Sequence, residues 1–123
     1  MADRRHLLGL AAEAAVASWL EGHRWRVLAT RERSAAGGEV DLIALDPTGV
    51  LVAIEVRSRR SDRAGSAAMS VDRRRVERLG RTLAAYATAG RTPHRGLRID
   101  LVCVEPAAER AGRWRLRRLA GIG

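Results

Sequence analysis

The stretch Gly38–Arg60, GEVDLIALDPTGVLVAIEVRSRR, constrains this chain more than any other. Two apolar runs, Val40–Leu45 and Val50–Val56, flank Asp46-Pro47-Thr48-Gly49. Aliphatic, β-branched runs separated by turn residues predict strand, turn and strand. Pro47 presets φ for the first corner of a type I turn, and Gly49 accepts the left-handed position that follows. A three-residue hairpin loop of this kind pairs Asp46 with Val50. Counting outward, Ile43 faces Ala53, Asp41 faces Glu55, and Glu39 faces Arg57. Residues two apart share a face. Glu39, Asp41, Glu55 and Arg57 therefore converge at the open end, and Val40, Leu42, Val52, Ile54 and Val56 line the opposite face.

Two carboxylates directly opposite each other repel, and burial in an apolar hairpin raises the cost unless a proton or cation intervenes. A divalent metal with oxygen ligands is one compensator, and Mg²⁺ commonly takes one or two carboxylates and keeps several waters. The other is a salt-bridge cluster in which Arg57 pairs with Glu39 and Glu55. Spacing alone leaves both open.

The rest of the composition bears on partners. The chain has 123 residues, enough for a single domain over 1–123, and 46% hydrophobic residues to build its core. Its formal net charge is +9, and all 23 basic residues are Arg. A GC-rich genome accounts for the missing Lys but not for the charge excess. Such an excess favours a polyanion partner, which the planar Arg fork grips well. Cys103 is the only cysteine, so an internal disulfide and a Cys-based zinc site are excluded, and a reducing cytoplasmic location is expected. No run is long and apolar enough to span a membrane.

Leu7–Leu20 predicts a helix rich in strong formers, with Leu7, Leu10, Ala11, Ala14 and Ala17 as its core face and Gly22 as its stop. Glu13 is the one charge inside this run. It either joins the acidic cluster or pairs with an Arg. Trp25–Arg31 alternates like a strand, and Glu32–Gly37 reads as a connection. Ser58–Ser66 is a basic loop carrying Arg59, Arg60 and Arg63. It is either a phosphate-gripping flap or a solvated loop. Asp72 caps a helix from Arg73 to Ala89, ended by Gly90. Its core face is Val76, Leu79, Leu83 and Ala87, with Gly80 and Ala84 allowing close packing. Arg74, Arg78 and Arg81 form a ridge beside Arg75, open to solvent or to phosphates. Gly96–Glu105 and Arg113–Leu119 predict two further strands. Asp100 is read there as a structural partner for an Arg. The Arg-rich last strand is read as an edge whose charge resists strand addition.

Helix, strand, hairpin, helix, strand, strand, with acids on the hairpin, resembles the restriction-endonuclease-like fold: an α/β domain whose mixed central sheet is flanked by helices. Gly38-Glu39-Val40-Asp41 followed by Ile54-Glu55-Val56-Arg57 resembles the PD-(D/E)XK nuclease signature. More specifically, GGEVDLIA, VAIEVRSR, SVDRRRVERLGRTLAAYA, LRIDLVCV and the pair Gly9 and Glu13 resemble the motifs of the YraN family of predicted nucleases, which is similar to archaeal Holliday-junction resolvases. The resemblance covers most of the chain.

The resemblance implies that Asp41, Glu55 and the Val56 carbonyl hold Mg²⁺ or Mn²⁺, and that Glu13 is a helix-borne acid. Glu39 belongs to the motif in a less defined role. Arg57 stands where the signature has Lys. Arg cannot serve as a base, but it can fix a water or stabilise charge on the phosphorane. The implied activity is metal-dependent hydrolysis of structured or branched DNA. Arg59, Arg60, Arg63, Arg74, Arg75, Arg78 and Arg81 would grip phosphates, and a homodimer follows by analogy with the resolvases. A non-catalytic adaptor that binds nucleic acid with the same fold is the alternative, and a protein-docking scaffold is a third.

Overall fold

The computed structural model describes residues 4–35, 38–58, 72–90, 92–106 and 113–122, with side chains at all of these except 4–8 and 106. Helix α1 (Arg4–Gly22) leads into strands β1 (Arg26–Arg33), β2 (Glu39–Leu45) and β3 (Leu51–Ser58). Helix α2 (Arg73–Ala89) follows, then β4 (Leu97–Pro106) and β5 (Trp114–Leu119). The five strands form one sheet in the order β1-β2-β3-β4-β5. Only the β3/β4 pair is parallel. A parallel pair needs a long crossover, and α2 lies within this one. The expected α/β architecture is the one observed.

Among the described residues, each face of the sheet carries one helix. Ala12, Val16 and Leu20 of α1 pack with Trp25, Leu42, Ala44, Val52, Ile54, Val102 and Val104. Leu79 and Leu83 of α2 pack with Val40, Ile43, Leu51 and Ala53 on the other face. The stripe expected for α1 is therefore displaced. Ala11 and Ala14 are exposed, whereas Ala12, Val16 and Leu20 are fully buried. Alanines on every side flatten the apolar period, so the bulkier Val16 and Leu20 decide which face turns inward. The helix ends at Gly22, as expected, but Gly22 is not the left-handed residue. Arg24 takes the left-handed conformation instead, at φ 68°, while the amides of His23 and Trp25 both reach the Leu20 carbonyl. That reversal turns Trp25 into the core.

The hairpin register is the expected one near its turn: Ile43 pairs with Ala53, Ala44 with Val52 and Leu45 with Leu51. Gly49 sits at φ 92°, and the Asp46 amide meets the Val50 carbonyl at 2.9 Å. Asp46 Oδ1 accepts from the Thr48 and Val50 amides and from Thr48 Oγ1. These donors and Arg98 outweigh burial and hold its carboxyl down at about 2. β1 runs two residues past its expected end because Glu32 and Arg33 pair with Val40 and Glu39.

Helix α2 matches its sequence signals closely. Asp72 accepts from the Arg74 amide at 3.0 Å, and Leu79 and Leu83 are buried. Gly80 faces Ile99, but Ala84 is exposed and packs on nothing in the core. Gly38 is tighter than any pattern showed. It sits at φ 90°, and a Cβ there would lie 3.3 Å from Arg78 Cβ. Gly38→Ala is therefore expected to cost about 1–2 kcal/mol. Gly22→Ala, in open space within a helix, is expected to be neutral or to stabilise by up to about 1 kcal/mol. Urea denaturation of the two variants checks this, and equal midpoints would contradict the strain at Gly38.

Candidate active site

The β2/β3 ladder ends at Leu42↔Ile54, one step before the acidic pair. Val40 belongs to the α2-side core and Leu42 to the α1-side core. Two residues that should share a face thus lie on opposite ones, and Val40 does not line the face expected of it. The strand rotates at Asp41. Its Oδ2 accepts the Val56 amide at 2.8 Å, so a side chain takes the place of the backbone acceptor where the strands part.

Asp41 and Glu55 meet in that gap and share a hydrogen bond between their carboxyl groups. A carboxyl can donate only when protonated. Burial pushes Asp41 up to about 7, the Val56 amide opposes this, and the Glu55 and Glu13 charges add to it. Burial also raises Glu55, but the Arg75 fork and the hydrogen bond from Asp41 outweigh it and leave its carboxyl below the ordinary range. The two acids are thus driven in opposite directions: Asp41 is the readier of the pair to hold a proton, and Glu55 the readier to stay charged.

The cation on Glu55 is Arg75, from the first turn of α2. Its Nε and Nη2 reach the two Glu55 oxygens at 2.6 and 3.0 Å, and Nη2 also reaches the Glu39 carbonyl at 3.4 Å. Arg57, expected to pair with Glu39 and Glu55, does not take this role. Arg57 adds charge near Glu55, yet its strand neighbour is Cys103 of β4. Glu39 lies across from Arg33, bonded at 2.9 Å, and not across from Arg57. The strands part before that rung would form.

Glu13 takes the Arg-pairing role of the two expected for it, and its charge reaches the acidic pair. Arg31 Nε is 3.8 Å from Glu13 Oε1, and the Glu13 charge is felt at Asp41. Among the described residues, no three His, Cys, Asp or Glu side chains converge closely enough to hold a metal ion. The donor set at the gap is thus two carboxylates, supplemented by whatever backbone oxygens turn toward it.

Arg74, Arg78 and Arg81 are exposed along α2, as the ridge required. Arg75 is not part of the ridge. It lies one turn before Leu79 and two before Leu83, on the buried stripe, and that period was the available signal for its inward position. Arg59, Arg60 and Arg63 lie outside the described residues. Asp100 is fully buried as a partner of arginines, as its sequence setting implied. Arg98 and Arg118 bond it at 2.8–3.1 Å, and the Gly121 amide adds a bond of 3.0 Å. Both guanidiniums stack on Trp25, at 5.9 and 5.2 Å from its ring. None of this touches the carboxylate gap.

A five-stranded mixed sheet between two helices, with acidic residues where its hairpin opens, is compatible with a restriction-endonuclease-like fold. Residues 12–104 match the uncharacterised protein family UPF0102, and the chain belongs to that family. A UPF0102 protein of Herpetosiphon aurantiacus is 40% identical over 108 residues, covering 85% of this chain and 86% of its own. One from Symbiobacterium thermophilum is 40% identical over 111 residues, covering 89% and 90%. One from Deinococcus radiodurans is 42% identical over 80 residues, covering 65% and 64%. No described helix is long and apolar enough to cross a membrane.

Proposed function

We propose that this protein is a metal-dependent endonuclease acting on structured or branched DNA by phosphodiester hydrolysis. One observation carries the reading: two carboxyl groups, half-buried Asp41 and buried Glu55, come together where two strands part, and burial with the neighbouring negative charge raises Asp41. A hard divalent cation fits the same donors, since replacing the proton relieves the repulsion without moving the backbone. When bound, Mg²⁺ or Mn²⁺ supplies a Lewis acid for the phosphate and a more acidic water. Asp41 and Glu55 would hold it, with the Val56 carbonyl as the expected third ligand. Val56 also orients Asp41 through its amide. Glu13 adds negative charge behind Asp41 and favours cation entry. Arg57 stands on the same strand face two residues beyond Glu55 and would meet a phosphate oxygen. The exposed ridge Arg74, Arg78 and Arg81 holds backbone phosphates without reading sequence.

Pure protein incubated with duplex, single-stranded, flap and four-way DNA tests the reading, with Mn²⁺, Mg²⁺ or EDTA. Nicking that needs metal supports it. Arg57→Lys is expected to retain substantial activity, and Arg57→Met to lose roughly 100-fold, the scale of one lost charge stabiliser. One observation favours the adaptor reading. The Arg75 fork occupies both oxygens of Glu55 and already neutralises it. Salt-sensitive binding with no cleavage under any metal condition, in wild type and both Arg57 variants, would make the adaptor reading the better one.

A further inference from the structure

One row of residues runs across three strands beside the carboxylate gap. Arg57 of β3 pairs in register with Cys103 of β4, and Cys103 pairs with Arg117 of β5. All three lie on the α2 side of the sheet. Glu55, two residues before Arg57, bonds Arg75 of α2. Val102 and Val104, which flank Cys103, pack toward α1, as do Trp114 and Leu116 on β5. Strand alternation then turns Cys103 and Arg117 the other way.

The previous rung is Glu55, Leu101 and Leu119. The next holds Glu105 opposite Arg115, where the charges offset each other. Only the rung between them presents two cations and no acid. Neither Arg57 nor Arg117 makes an ion pair with a described residue, in contrast to Arg33, Arg75, Arg98 and Arg118. Arg117 is exposed, and Arg57 and Cys103 are half-buried. Adjacent strands lie about 4.8 Å apart, so the two arginine backbones are roughly 10 Å apart across the sheet. Side chains of that length at that spacing can engage neighbouring phosphates of one strand.

Resting on the reading of the gap as a phosphodiester site, we infer that Arg57, Cys103 and Arg117 form a phosphate track. It leads a DNA strand from the carboxylate pair across the sheet to the β5 edge. Arg57 meets the phosphate nearer the gap, Arg117 meets one further along, and Cys103 is the small neutral floor between them. The charge on β5 then serves a substrate as well as discouraging strand addition.

The test measures binding without cleavage. Affinity for a fluorescein-labelled four-way DNA junction and for a duplex is followed by anisotropy in EDTA over a range of NaCl concentrations. Arg117→Ser is expected to weaken binding several-fold and to lower the salt slope by about 0.9, the share of one phosphate contact. Arg117→Glu and Cys103→Asp should weaken it further, whereas Cys103→Ser should match wild type. Arg117 is at the surface, so its variants should melt like wild type even if Cys103→Asp does not. Unchanged affinity and slope in Arg117→Glu, while wild type binds, would overturn the track and leave the hydrolytic reading standing. A reduced slope in a protein that never cleaves would keep the track and sink the hydrolytic reading. Absence of binding by wild type would overturn both.

Discussion

Asp41→Asn is expected to melt at or above the wild-type temperature without divalent metal and to lose its response when metal is added. The variant copies the protonated acid. Its carbonyl oxygen can accept the Val56 amide, and its NH₂ can donate to Glu55, as a protonated Asp41 would. What it cannot do is become an anion. In wild type, a cation bound only by the folded pair stabilises the fold by about 2.7 kcal/mol when free metal is a hundred times its dissociation constant. For a domain of this size that is a shift of roughly ten degrees. Asp41→Asn should show little of it, Glu55→Gln should behave likewise, and Asp72→Asn, which alters a helix cap and neither acid of the pair, should respond as wild type does. Ionic strength must be matched with a monovalent salt, because screening alone stabilises a chain of net charge +9.

The same substitution gives a pH signature. The folded Asp41 holds its proton up to about 7, against 3.8 when unfolded. Between those values the folded state binds more protons than the unfolded one, so stability falls as pH rises through this window and the loss is complete above about 7. Glu55 acts in the opposite sense. Its lowered value contributes stability above its ordinary 4.5, which is lost on acidification. Metal-free wild type should therefore melt lower at pH 8 than at pH 5.5, and Asp41→Asn should flatten that difference. A wild-type melting temperature unmoved by Mn²⁺ or Mg²⁺ over millimolar concentrations would withdraw the metal assignment for the isolated protein.

Arg75→Ala is expected to destabilise the metal-free protein by on the order of 3 kcal/mol at pH 8. Glu55 would then be a buried carboxylate beside another acid with no cation. Its side chain is only 6% exposed, while that of Arg75 is 31% exposed, so water replaces part of what is lost. At pH 5.5 the cost should shrink, because Glu55 can then take up a proton. Added Mn²⁺ should recover more stability in this variant than in wild type, since Arg75 no longer competes for the Glu55 oxygens. Arg74→Ala, on the exposed face of the same turn, should stay within about 0.5 kcal/mol. If the two variants melt alike at pH 8, the fork is a surface pair and the picture of Arg75 as occupant of the site fails.

The sequence disclosed the hairpin because its turn chemistry is local. Asp46, Pro47 and Gly49 set the register from within four residues, and Ile43↔Ala53 followed by counting. It disclosed α2 for the same reason, through Asp72 and the Leu79/Leu83 period. It did not disclose where the ladder stops. That depends on Asp41 taking the Val56 amide, a choice between a side chain and the backbone for one donor. Arg33 and Arg75 went to Glu39 and Glu55 while Arg57 was the obvious candidate, because 23 arginines make every acid ambiguous in one dimension. The α1 stripe was misread where alanine, helical on any face, carries no direction. Asp100 was legible as a structural acid, but its partners were not. Arg98 is its near neighbour on the strand, whereas Arg118 and the Gly121 amide come from well down the chain.

That last bond set has a consequence for the order in which the molecule can assemble during synthesis. Asp100 leaves the ribosome as part of β4, 18 residues ahead of Arg118 and 21 ahead of Gly121. Until those two emerge, seating β4 beside β3 would bury a carboxylate held by Arg98 alone. Water is the better partner meanwhile. The β1–β3 meander has no such wait, since its turn and register close locally and its neighbours follow one another along the chain. Nascent protein should therefore carry a formed hairpin and an undocked β4 until Arg118 and Gly121 have emerged and close over Asp100, when the sheet completes in one late step. The carboxylate gap, which opens where β3 runs on beside β4, would be finished only at that moment.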